Sequence, residues 1–133
     1  MGVIQQAQHA AMMKGWPAQP QPSGELRVEV LTQAARTQLV TISMARDGDG
    51  DAAAFIWSKA GDTRVIADPV AMLRHNMKLT YGKVALKDND VVVVHALLDA
   101  TADVNQVAKA IFWVARAADD LEMGTYGAYS DTL

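Results

Sequence analysis

The sequence predicts an α+β fold, a mostly antiparallel sheet covered by a long C-terminal helix and a short central helix, in the order α-β-β-β-α-β-β-α. Several segments alternate apolar and polar residues with a period of two, as strands with one buried face do. Two others repeat with the helical period and carry helix start or stop signals. Half of the 133 residues are apolar and 20% are charged, which supplies one hydrophobic core in a length too short for two.

Val3 to Met13 holds good helix formers, with Val3, Ile4, Ala7, Ala10 and Ala11 along one side, and Gly15 ends it. So short a helix is marginal alone in water, so it must dock on its own domain or on another chain. Trp16 to Gly24 carries three prolines at near-alternate positions and reads as an extended linker, because proline fixes φ and removes a donor. Its Pro17-x-x-Pro20 spacing is common in such linkers. From Glu25 the period becomes two: Leu26, Val28 and Val30 alternate with Glu25, Arg27 and Glu29 in a first strand. After a turn at Gln33 to Arg36, Leu39 to Met44 forms the second. Asp47 to Asp51 is a glycine-rich turn, and Ala53 to Lys59 forms the third. Arg64 to Ala67 is expected to be a further extended piece.

Asp68-Pro69 opens the short helix, since Asp caps free backbone donors and proline is tolerated where no donor is needed. That helix runs to about Asn76. Thr80 to Leu86 alternates again, Asp88-Asn89-Asp90 turns, and Val91 to Leu98 is a nearly continuous apolar strand, as expected of one that lies centrally. Asp103 and Gln106 resemble a capping box at the start of the long helix, which runs to about Met123 before Gly124. The organisation expected is a helix and linker over 1–24, one domain over 25–124 and a tail over 125–133.

Several function classes are disfavoured. Without cysteine there is no disulfide frame, thiolate nucleophile or cysteine-based metal site, and a cytoplasmic home is expected. The longest apolar runs stop far short of roughly 30 Å of hydrocarbon, and no basic-then-apolar signal opens the chain. Neither a membrane nor a lipid anchor is expected, because Gln6 stands where a myristoylation motif needs Ser or Thr. The net charge of −3 argues against nucleic acid. Charge is unevenly spread: Lys59 to Lys87 has six basic and two acidic residues, a local +4, while Asp88 to Leu133 has two basic and eight acidic, a local −6.

Catalytic and metal motifs fail on inspection. Asp47, Asp49 and Asp51 fit the first positions of a calcium loop, but Ala52 and Ser58 stand where it needs Gly and Glu, so a hairpin turn is expected. His9, His75 and His95 have no ligand spacing, and His95 in an apolar strand reads as a hydrogen-bonded structural histidine. Ser23, Ser43, Ser58 and Ser130 lack a nucleophile-elbow pattern, and no glycine-rich phosphate loop occurs. No catalytic residue, metal or cofactor is assigned.

The long helix is more informative. At about 100° per residue, Val104, Val107, Ala108, Ile111, Val114, Ala115, Ala118 and Leu121 share the side that covers the sheet. Trp113 points away, with Gln106, Lys109, Arg116 and Asp120, and Phe112 lies on the border. An outward Trp among charges is covered by a loop or the N-terminal helix, is an anchor for a dimer or other partner, or is simply exposed. Seven methionines are present; Met44, Met72 and Met77 are assigned to the core, and Met12 and Met13 to an adaptable contact. The candidate partner or dimer residues are therefore Trp113, Phe112, Lys109, Arg116, Met12 and Met13.

The stretch from Leu73-Arg-His-Asn76 through Tyr81-Gly-Lys-Val-Ala-Leu86, Val91 to Leu98 and Ala108 to Leu121 resembles the Tir chaperone (CesT) class of type III secretion chaperones and the YbjN-like proteins that share their fold. The likeness covers about Glu25 to Met123: a short helix ending in Asn, a strand opening with an aromatic-Gly pair, an apolar strand, and a long helix ending near the paired acids Asp119-Asp120. It implies an α/β sandwich, a homodimer and a non-catalytic protein-binding role. On the chaperone side the protein holds an extended, unfolded segment; on the YbjN-like side it is a regulatory or structural interaction protein binding a folded partner. The Pro/Gln segment after the first helix departs from that pattern.

Overall fold

A computed structural model describes residues 1–124. Helix α1 (Val3–Lys14) precedes strands β1 (Ala18–Pro20), β2 (Leu26–Gln33), β3 (Arg36–Arg46) and β4 (Ala52–Asp62), then helix α2 (Pro69–Asn76), strands β5 (Lys83–Lys87) and β6 (Asp90–Leu98), and helix α3 (Val104–Met123). The six strands form one antiparallel sheet in the order β1-β2-β3-β4-β6-β5. This is the α+β architecture that the alternation predicts, with one short strand added inside the proline-rich segment. There Ala18 to Pro20 pairs with Val28 to Leu26. An extended chain with few donors of its own can still lend carbonyls to a neighbouring edge, and Pro17 accepts a bond from Glu29 N–H at 2.9 Å.

Two local expectations are corrected. Arg64 to Ala67 is not extended: Thr63–Val65 is a single 3-10 turn, because the Asp62 carboxylate accepts from Arg64 N–H and caps it. The strand expected at Thr80 begins later, at Lys83, since Gly82 adopts φ +88° and bends the chain. At Gly82 a Cβ would lie 2.8 Å from Val93 Cγ1, so this bend is wedged between the sheet and α3.

One face of the sheet is the core. Leu26, Val28, Val30, Val40, Ile42, Ala54, Ile56, Val91 and Val93 are buried there against Val107, Ile111, Val114, Ala115, Ala118 and Leu121 of α3. The stripe predicted for α3 is the one observed, with Val104 only half-buried. Asp103 caps the helix by accepting from Gln106 N–H at 2.7 Å. Helix α1 lies along α3 in the same sense and buries Val3, Ala7, Ala10 and Ala11, small side chains that permit close approach. Its N-terminus is held by Asp99, whose carboxylate accepts from Val3 N–H at 2.7 Å, while Gln6 Nε2 donates to the carbonyls of Met1 and Ala102.

The methionine assignment holds for Met72, which is buried, and fails for Met44 and Met77, 43% and 87% exposed. Met44 is on the helix-facing side of β3 beyond the reach of the helical layer, and Met77 follows the last residue of α2. Asp120 is also buried rather than outward, bonded to Arg116 Nε at 3.2 Å.

The long helix is keyed to the sheet by Asp119. Its fully buried carboxylate accepts from Thr32 Oγ1 at 2.9 Å, Gln33 Nε2 at 3.0 Å and Arg36 Nη2 at 2.6 Å, all at the β2–β3 hairpin. Burial pushes its pKa up, but the bonds from Arg36, Thr32 and Gln33 outweigh this and hold it below the ordinary value. These side chains brace a turn in which Ala35 takes φ +61° without being glycine. Near the other edge, Gly82 N–H donates to His95 Nδ1 at 3.0 Å and the Tyr81 ring tilts against the imidazole at 5.7 Å.

We expect Asp119→Ala to cost about 2–4 kcal/mol, because it leaves the buried Thr32 hydroxyl and its neighbours without their acceptor; urea unfolding measures this. A loss under 0.5 kcal/mol would contradict the keying role. His95 and His75 are both held below the ordinary histidine value, by burial first and then by Lys83 and Lys78 respectively, with Asp120 partly opposing this at His75. The unfolded chain therefore binds more protons below about pH 6.5, and stability falls as pH drops from there. Thermal melts from pH 7 to 5 should show that fall, smaller in His95→Gln; a flat profile contradicts it.

Candidate protein-binding groove

The sequence-predicted residues Met13, Lys109, Phe112 and Trp113 come together in one groove of about 660 Å³ between the end of α1 and the N-terminal half of α3. Its formation follows from how α1 stops. Gly15, at φ +74°, reverses the chain; Trp16 N–H then bonds to the Ala11 carbonyl at 2.9 Å, and the Trp16 ring turns back to pack on the core. Phe112 and Trp113 pack edge-to-face, centroids 5.1 Å apart at 85°, which fixes the ring that faces out. Trp113 remains 48% exposed and Met13 60%. The N-terminal helix therefore borders Trp113 without covering it.

Met12, though exposed, is absent from the groove lining, and Arg116 is drawn to Asp120. Lys14, Trp16, Leu31 and Asn105 line the groove unanticipated. A signal for Leu31 exists in the sequence: it occupies an outward phase of β2, where Arg27 and Glu29 are polar. It also marks an edge. Because Glu29 N–H bonds to Pro17 on the β1 side, the alternation of an antiparallel strand turns the N–H and C=O of Leu31 the same way, past the end of β1.

Other apolar surfaces are open. On the sheet face away from α3, Leu39, Phe55 and Leu98 are exposed around Trp57, whose Nε1 donates to Ser43 Oγ and whose ring lies 5.2 Å from Lys87 Nζ. Val70 and Leu73 of α2 and Met77, which caps its C-terminus, are exposed, as is Leu86 of the edge strand β5, all more than half. The carboxylates of Asp47, Asp49 and Asp51 lie within 4.8 Å of one another at the β3–β4 turn, where Asp47 Oδ1 accepts from the N–H groups of Asp49 and Asp51. That bonding is the hairpin role expected of them. No helix among the described residues is long and apolar enough to cross a membrane.

No family model and no curated protein matches the sequence. Among solved structures the chain is similar to the type III secretion chaperone SycH of Yersinia pestis, in complex with a stable fragment of YscM2. That likeness has a TM-score of 0.59 at 16% identity and covers 90% of this chain and 98% of the other. The architecture that carries the groove is thus the fold of a type III secretion chaperone, as the resemblance in the sequence implies.

Proposed function

We propose that the protein is a non-catalytic binding module of the chaperone kind, which holds an extended segment of a partner protein in the groove between α1 and α3. The observation that carries this reading is the junction of two surfaces at Leu31. An apolar floor made by Phe112, Trp113 and Met13 adjoins a strand edge that continues past the end of β1. An extended segment added there gains main-chain bonds from the edge and places alternate side chains on the floor. Support comes from the fold shared with a chaperone bound to a protein fragment. The cytoplasm is the compartment that fits a chain without cysteine.

The same reading includes a homodimer. The exposed apolar residues Val70 and Leu73 of α2, Met77 at its C-cap and Leu86 of β5 are a surface that two copies cover by facing each other across a two-fold axis. Edge pairing of β5 with itself is disfavoured, because Lys83 and Lys87 would then stand opposite each other.

Two measurements test these readings. Binding of unfolded and folded forms of one client, followed by anisotropy, should favour the unfolded form and weaken at least about tenfold in Trp113→Ala, as expected for an aromatic anchor. Unchanged affinity would remove the groove, and preference for the folded form would favour the regulatory reading. Sedimentation should give a dimer that Leu73→Glu converts to monomer; a wild-type monomer, or a dimer in both, refutes the α2 interface.

A further inference from the structure

We infer that the segment held in the groove is acidic, with carboxylates flanking the apolar side chain that sits against Phe112 and Trp113; this rests on the groove reading above. Lys14 and Lys109 line the groove from its two walls, one at the end of α1 and one on the second turn of α3. No Asp or Glu lines it among the described residues. Both lysines are exposed, and neither has a hydrogen bond or ion pair within the described residues. Lys14 also lies favourably at the C-terminus of its helix, but Lys109, six residues into α3, has no such dipole to answer.

The setting makes this pair informative. The chain carries a net charge of −3, so its overall field repels an acidic ligand. At physiological ionic strength that field is screened beyond about 8 Å, and the two ammonium groups at the rim dominate what a bound segment meets. Their stems can lie along the apolar floor while the charged ends reach outward. A segment that offered lysine or arginine there would place like charges together without compensation, so the rim selects against basic partners as well as for acidic ones.

The probes are two synthetic peptides with the same alternating apolar residues, one carrying Glu and the other Gln at every intervening position, measured by anisotropy against the full chain. The wild type should bind the Glu peptide about three- to tenfold more tightly, as two rim ion pairs allow, and salt should erase the difference. The doubly substituted Lys14→Glu, Lys109→Glu protein should lose or reverse the preference; the salt titration of the wild type supplies the same test without any variant. Equal binding of both peptides, or a preference that survives the substitutions, overturns the acidic assignment and leaves the groove standing. Binding of neither peptide overturns the groove and this inference together.

Discussion

Helix α3 covers four strands with a single apolar stripe, and such a stripe tolerates rotation until something polar fixes it. Asp119 is that constraint. Its buried carboxylate is satisfied only when Thr32, Gln33 and Arg36 are presented by the β2–β3 hairpin, so one residue sets both the rotation of the helix and its position along the sheet. Trp113 lies six residues earlier, about 240° around the helix, and is thereby aimed at α1. The direction of the groove's main aromatic is thus decided one and a half turns away by a hydrogen-bonded charge.

Period-two and period-3.6 patterning made the sheet and α3 legible, because both reflect a burial that the sequence writes locally. The outward direction of Trp113 and the border position of Phe112 were legible for the same reason. What patterning missed depends on partners distant in the chain. Asp120 lies on the outer side of a bare helical wheel, yet it is buried beside Arg116 because other parts of the fold close over it. The apolar side chains of Met44 and Met77 suggested burial although polar residues flank both, Ser43 and Arg46 at the first and Asn76 and Lys78 at the second, and their exposure follows from where the helical layer ends. Pro17 and Pro20 suggested an extended linker, whereas the Pro17 carbonyl accepts from a strand that the sequence alone could not place beside it.

The sheet shows how an open architecture limits unwanted pairing. One edge strand is three residues long and contains Pro20; the other is flanked by Lys83 and Lys87. Between these protections, β2 continues past β1 at Leu31, beside an apolar floor with a cationic rim. Recognition by strand addition needs such an opening, and confining it to a few residues keeps the rest of the edge from recruiting other chains. The exposed face around Trp57 is tempered differently, by Lys87 over its ring.

The anchoring of α1 by Asp99 has a consequence for the order of events during synthesis. Val3 and the carboxylate that caps it are separated by 96 positions in the chain, and Gln6 is as far from Ala102. At roughly 5–20 residues per second, the first helix emerges from the ribosome on the order of 5–20 s before its partners do. Through that interval its alanine and methionine surfaces have no cover from their own fold, while the hairpins from β2 to β4 can already pair. The element that closes one wall of the groove is therefore made well before the residues that anchor it and settles only after them, and a nascent chain spends that time without a finished groove.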